Sequence, residues 1–102
     1  MRLLRLARCE ELNVVGSEFL RVWLARAILI RYLGSVGAAA PRTLVREVRR
    51  QVSILTRYGM YLANKLLETG KSCREYISAL RYLHLVGMSV ERVFPVRVHP
   101  RT

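Results

Sequence analysis

Apolar residues in the first third of the chain run nearly all round a helical cylinder. Between residues 17 and 33 few positions are polar, a pattern typical of a helix that is buried on more than one side. Ser17 is the predicted N-cap of this helix, and Gly34 and Gly37 are predicted to end it. Residues 1–16 fit either a helix or a strand, and both alternatives stay open.

The next pattern is a helix with one apolar stripe and one basic side, predicted over residues 43–57. Thr43 can cap this helix. The apolar stripe consists of Leu44, Val45, Val48, Val52 and Leu55. The opposite side carries Arg46, Arg49, Arg50 and Arg57. A basic side of this kind either contacts a DNA backbone or is simply solvated, and the pattern fits both interpretations equally well.

Residues 60–86 predict two further helices joined by a short turn. The first is predicted to end near Gly70, which can adopt the left-handed conformation that closes a helix. Ser72 is predicted to start the second, because its hydroxyl and the Glu75 carboxylate can form a capping box. Gly59 is predicted to separate this pair from the basic helix before it. Two helices joined in this way form a helix-turn-helix.

The second helix of this pair has two faces with different chemistry. Ile77, Leu80 and Leu83 recur at helical spacing and are expected to face the core, with Tyr76 and Val86 at the flanks. Arg74, Ser78 and Arg81 lie at i, i+4 and i+7, so they are expected to share a different, positively charged face. Such a face suits the major groove of DNA, where arginine binds both acceptors of guanine. A solvated face of an ordinary helix fits the pattern equally well.

Part of this stretch matches a known motif. The motif runs through Ser72, Tyr76, Ile77, Ser78, Leu80, Leu83 and Gly87-Met88, and Leu62-Ala63-x-x-Leu66 precedes it. The first set resembles the recognition helix of winged helix-turn-helix DNA-binding domains, and the upstream set resembles their supporting helix. The turn over residues 67–71 is longer than this family usually has. The resemblance implies that helix 72–86 enters the major groove.

After Gly87 the period of the apolar residues changes, and most of them are β-branched. The β-branched residues are Val90, Val93, Val96 and Val98, with Arg92 and Arg97 between them. This pattern predicts a strand or short wing over residues 89–98. The predicted fold class is therefore mostly α with a small β element. We expect a single winged helix-turn-helix domain over residues 1–102, with four helices plus a C-terminal strand or short wing.

The charge of the chain indicates a polyanionic partner. The chain has 18 basic and 7 acidic residues, a net charge of +11 and a pI near 11.0. Nucleic acid and anionic membrane surfaces both attract such a protein. All basic residues except Lys65 and Lys71 are arginine, which favours nucleic acid because guanidinium binds phosphate in a fork. A GC-rich genome produces the same bias.

The absence of Asp and the scarcity of Asn and Gln fit a thermophilic archaeal source, with a storkhead-box-like subtype as a further hypothesis.

Several other kinds of chemistry are not expected. No stretch approaches about 18 consecutive apolar residues, and the N-terminus lacks the apolar region of a signal peptide, so a cytoplasmic protein without a transmembrane helix is predicted. No catalytic motif is present, and Cys9, Cys73, His84 and His99 lack zinc spacing. We therefore expect no enzyme, metal, cofactor or small-molecule ligand. The two cysteines would stay reduced in a mesophile and could pair in a hyperthermophile.

The sequence therefore predicts a sequence-specific double-stranded DNA-binding protein, a transcriptional regulator. Base contacts are expected from Arg74, Ser78 and Arg81. Phosphate contacts are expected from Arg46, Arg49, Arg50, Lys71, Arg92 and Arg97. An RNA-binding or ribosome-associated protein is one alternative, and a structural interaction subunit without nucleic-acid specificity is another.

A homodimer is also predicted, through the helix over residues 17–33. One core can bury only one stripe of a helix, so a second apolar stripe would stay exposed on a monomer. The residues expected in the dimer interface are Phe19, Trp23 and Ile30. Residues 1–16 could instead fold back and cover this stripe within one chain.

Overall fold

Two long antiparallel helices form the body of the protein in the computed structural model, which describes the backbone of residues 2–93 and the side chains of residues 9–93. Helix α1 spans Arg2–Val36 and helix α2 spans Arg42–Ser72, joined by a 3-10 turn at Gly37–Ala39. Two short helices follow, α3 at Tyr76–Leu85 and α4 at Val90–Val93. Within residues 2–93 there is no strand.

Helix α1 begins at Arg2, so the predicted start at Ser17 is wrong. Gly16 and Ser17 lie inside the helix, because Leu12 and Val15 extend its buried stripe towards the N-terminus. The ring of Tyr82 from α3 packs on Gly16, where a Cβ would overlap it. A mid-helix glycine costs about 1 kcal/mol, which is less than the gain from burying two aliphatic side chains.

Helix α2 continues through both glycines that were predicted to end helices. Gly59 provides the contact with α1, since a Cβ there would overlap the indole ring of Trp23. Gly70 provides the contact with α3, since a Cβ there would lie 2.8 Å from the Cβ of Ala79. Both predicted breaks are wrong because these glycines are close-approach positions within one continuous helix. Arg26 supports the first contact, with its guanidinium 4.3 Å from the Trp23 ring centroid.

The turn between α2 and α3 differs from the predicted capping box. Ser72 is the last residue of α2, and the left-handed residue is Arg74, with φ 62°. The amide of Arg74 donates to the Lys71 carbonyl at 3.3 Å, and the amide of Glu75 donates to the Gly70 carbonyl at 2.7 Å. This pair of hydrogen bonds is a Schellman motif. The Ser72 hydroxyl therefore caps nothing, and α3 starts at Tyr76.

The predicted wing is wrong, and the winged helix-turn-helix fold with it. Residues 90–93 form helix α4, and the rest of the predicted strand, residues 94–98, lies outside the described residues. A strand needs a partner for its ladder, and the N-terminal segment that could supply one belongs to α1. Val93 instead packs into the helical core. The described chain is a small all-α structure.

One core holds these helices together, and it lies at the open end of the helix pair. From α1 and α2 it contains Leu12, Val15, Phe19, Val22, Trp23, Leu62, Ala63, Leu66 and Leu67. From the rest of the chain it contains Ala79, Leu83, Met88 and Val93. The expected core face of α3 is wrong for Ile77, which is 66% exposed. Because α3 approaches α2 closely at Gly70, the small Ala79 occupies the contact and Ile77 faces outwards.

The other end of the helix pair has almost no core. We call residues 9–23 and 59–93 the core half, and residues 24–58 the tip half. In the tip half only Val48 is buried, and the exposed large apolar residues are Leu24, Ile28, Ile30, Leu44, Ile54 and Tyr58. Correspondingly, the radius of gyration is 16.8 Å, against about 13 Å for a compact chain of this length.

One segment of α1 and the following turn meets a simple criterion for a membrane span. Among the described residues, Cys9–Ala39 is long and apolar enough by length and composition alone, with a mean hydropathy of 1.3. The core helix of a soluble protein can meet the same criterion. The absence of a transmembrane helix therefore stays a prediction.

Candidate nucleic-acid interface

Four exposed arginines lie on one side of α2, near the tip of the helix pair. They are Arg42, Arg46, Arg49 and Arg57, and we call them the arginine face. The apolar stripe of α2 lies elsewhere on the helix, where Val48 is buried and Val45, Val52 and Leu55 are half-buried. A helix rises about 1.5 Å per residue, so the arginine face extends over about 22 Å.

No described carboxylate lies within ion-pair distance of these four arginines. The carboxylate of the nearby Glu47 is paired with two other side chains. Arg50 donates hydrogen bonds to it at 2.8 and 3.1 Å, and Gln51 donates one at 3.0 Å. Hydrogen bonds from Arg50, and then from Gln51, lower the pKa of Glu47 to about 2. Arg50 is therefore already committed to an anion, which weakens its predicted role as a phosphate contact.

A cleft of about 590 Å³ opens at the tip, beside the start of α2. Its lining includes Arg42, Arg46 and Arg49 together with Val45 and the small residues of the 3-10 turn. The first turn of α2 has no acidic residue, and Pro41 at the N-cap position makes no side-chain cap. The amides of this turn and the positive end of the helix dipole therefore add to the charge of the arginines. Chemically, this arrangement suits a phosphate group.

The residues predicted to contact DNA bases do not share one helical face. Arg74 lies in the turn before α3, so the predicted spacing is wrong for this residue. The Ser78 hydroxyl donates to the Glu75 carboxylate at 2.9 Å. Arg81 is exposed on α3 and lines a cleft of about 320 Å³ beside Tyr82. The role of these residues as base contacts stays a prediction.

The residues predicted to contact phosphates are spread along the molecule. Lys71 lies about 37 Å from Arg46 along the axis of α2, and its ammonium group is 5.6 Å from the ring centroid of Tyr76. Arg92 is exposed on α4, and Arg97 lies outside the described residues. Arg46 and Arg49 are the two that the structure brings together in one cleft.

Arg42 is not among the residues predicted from the sequence to bind DNA. It lies four positions before Arg46 and seven before Arg49, which is the spacing of one helical face. The helix predicted from the sequence starts at Thr43, one residue after the observed start of α2. Arg42 therefore lies outside the predicted helix and is not assigned to its basic side. The spacing predicts Arg57 on the basic side of the helix, and the structure leaves it exposed.

Two of the three residues predicted for a dimer interface are unavailable to a partner. Phe19 is fully buried in the shared core, and Trp23 is 6% exposed because α2 packs on its ring at Gly59. Their rings stack with centroids 5.9 Å apart. Ile30 is exposed in the tip half. Leu24 and Ile28 are also exposed in the tip half, and they share one face of α1 because they are four residues apart.

The described residues also contain no group of three or more His, Cys, Asp or Glu side chains that could hold a metal ion. Comparison of the chain with protein-family models, with curated proteins and with solved structures finds no significant match.

Proposed function

We propose that this protein binds double-stranded DNA through the arginine face of α2. The observation that carries the proposal is the group of four exposed arginines on one side of a helix, with no described carboxylate paired to them. Guanidinium groups bind phosphate oxygens in a fork, and each phosphate that is neutralised releases a counterion. The net charge of +11 adds long-range attraction to any duplex.

Within this proposal, phosphate contacts and base contacts lie at different ends of the molecule. Phosphate contacts position a protein on DNA, whereas base contacts give sequence preference. Arg81 is the candidate for reading guanine, because it is exposed on α3 between the exposed Ile77 and Leu85. Apolar side chains beside an arginine suit the methyl group of thymine. Sequence-specific binding by a transcriptional regulator is the function that we propose on this basis.

The salt dependence of binding tests the arginine face. For about four contacted phosphates, log K is expected to fall against log salt with a slope of about −4. Arg46→Ala combined with Arg49→Ala should make this slope shallower by about 2. Fluorescence anisotropy of a labelled duplex over a salt series measures both slopes.

A charge-matched control separates the arginine face from net charge. Arg21→Ala combined with Arg31→Ala removes the same charge from exposed positions on α1. This control should keep a slope close to that of the wild type. Equal losses in the two double variants would contradict the proposal. Stronger competition by a structured RNA of equal length would favour the RNA-binding alternative.

A second candidate function is that of an interaction subunit that pairs with its own copy. It is favoured by Leu24 and Ile28, which are 58% and 66% exposed on α1, since monomers rarely expose clustered large apolar side chains. A two-fold dimer would cover this surface with itself. Sedimentation equilibrium at micromolar concentration tests the idea, and Leu24→Glu should dissociate the dimer. A monomer mass for the wild type would exclude it.

A further inference from the structure

The only two cysteines of the chain meet at the open end of the helix pair. Cys9 lies in α1 and is partly exposed, and Cys73 is the buried residue that follows the last turn of α2. The thiol of Cys9 donates to the main-chain carbonyl of Cys73 at 3.5 Å. These residues are 64 positions apart in sequence, so their contact is a product of the fold.

The register of the two helices explains this contact. Three contacts follow one another along α1. Cys9 lies opposite Cys73, and Trp23 lies opposite Gly59. Arg26 donates a hydrogen bond to the Thr56 hydroxyl at 2.6 Å. In each of the three contacts the two residue numbers add up to the same value. This is expected for two antiparallel helices that keep one register along their length. Hydrogen bonding with Cys73, followed by burial, raises the pKa of the Cys9 thiol to about 11. The Cys9 thiol lies within hydrogen-bond distance of the Cys73 main chain, so the two cysteines belong to one site.

We propose that Cys9 and Cys73 form an intramolecular disulfide that joins α1 to the C-terminal end of α2, at the open end of the helix pair. The oxidant is a small-molecule disulfide. The Cys9 thiolate attacks one of its sulfur atoms, forms a mixed disulfide and releases the first small thiol. The Cys73 thiolate then attacks the Cys9 sulfur, forms the protein disulfide and releases the second small thiol. The two protons lost by the protein end on the released thiols, and the small disulfide is reduced.

The consequence is a closed covalent ring around the elongated body of the protein. The 3-10 turn at Gly37–Ala39 joins α1 and α2 at the tip, and the disulfide joins them at the opposite end. A cross-link between positions this far apart removes much of the freedom of the unfolded chain. We expect the melting temperature to rise by about 10–20 °C on oxidation, since a small domain gains several degrees per kcal/mol.

The test uses the chain of 102 residues without substitutions. The reduced protein is incubated with oxidised glutathione at mildly alkaline pH, where more Cys9 thiolate is present. Intact-mass spectrometry should show a monomer lighter by two hydrogens, and peptide mapping should show Cys9 joined to Cys73. Differential scanning calorimetry should show the higher melting temperature, and dithiothreitol should reverse it.

Two variants serve as controls, Cys9→Ser and Cys73→Ser. Each should take up one glutathione at most and gain no thermal stability from oxidation. The proposal is overturned if the wild type ends with a glutathione on each cysteine, or with disulfides between two chains. An oxidised monomer that melts at the same temperature as the reduced protein would overturn it as well.

Discussion

The core half and the tip half contain the same two long helices, but they are packed very differently. In the core half, α3 and α4 lie on the helix pair and complete a shared core, in which Phe19, Leu66, Leu67 and Leu83 are fully buried. In the tip half the described chain supplies no third helix, and two helices alone can bury only the stripe between them. The difference teaches that a third and a fourth helix are needed to bury the apolar residues of the long helix pair, and only the core half has them.

Charge follows the same division. Three arginines of the arginine face line the cleft at the tip. Few side chains are buried in this half, so long charged side chains can stay exposed there. Regions with few buried apolar contacts open locally at low free energy, and binding surfaces are often found there. We therefore expect the tip half to open locally at a lower free energy than the core half.

The largest expected effect is the loss of stability when a leucine is replaced by alanine, and it should differ between the two halves. Leu66→Ala removes a fully buried side chain from the core half and should lower the free energy of unfolding by about 3–5 kcal/mol. Leu44→Ala removes a side chain that is 41% exposed in the tip half and should cost about 1 kcal/mol or less. Urea denaturation measures both values. Equal losses would show that the two halves are packed equally well.

The next effect tests the contact at which the two halves join. Alanine normally stabilises a helix relative to glycine by about 1 kcal/mol. Gly59→Ala should instead lower the free energy of unfolding by about 2 kcal/mol, because the new Cβ would overlap the Trp23 ring. Gly34→Ala is the control in the tip half, with no atom within 4 Å of the new Cβ, and it should be stabilising. A stabilising Gly59→Ala would contradict the close contact.

A smaller effect concerns the turn that connects α2 to the rest of the core half. Arg74 has φ 62°, a conformation that costs a residue with a side chain about 1 kcal/mol. Arg74→Gly should therefore raise the free energy of unfolding by about 1 kcal/mol. Gly87, with φ 70° at the end of α3, is the reciprocal control, and Gly87→Ala should lower the free energy by a similar amount. Thermal unfolding of both variants checks the two signs.

The smallest effect is a pH dependence in the tip half. The pKa of Glu47 is lowered to about 2 by Arg50 and Gln51, from about 4.3 in the unfolded chain. Its stabilisation is therefore complete above the unfolded pKa and is lost as the pH falls towards 2. The difference in melting temperature between the wild type and Glu47→Gln should be small at neutral pH and should vanish on acidification. An NMR titration of the Glu47 side chain with a midpoint near 4 would contradict the hydrogen bonds.

The local periodicity of the sequence predicts much of the helical structure but places its boundaries poorly. The basic side of α2 follows from the spacing of Arg46, Arg49 and Arg57, and the structure leaves all three exposed. For α3 the spacing correctly selects Leu83 as buried and wrongly selects Ile77. Such spacing identifies which residues share a face, whereas the neighbouring helix decides which face is buried.

The sequence by itself determined the helical periodicity, the excess of arginine and the basic side of α2, since these depend only on residue type and spacing. Tertiary structure decided whether Gly59 and Gly70 end a helix, whether Val93 belongs to a strand, and whether Cys9 meets Cys73. The physical reason is one of magnitude. A single glycine changes helix stability by about 1 kcal/mol, whereas burying one large apolar side chain contributes about 2–3 kcal/mol. The contacts made by Trp23 and Ala79 therefore outweigh the local preference at each glycine.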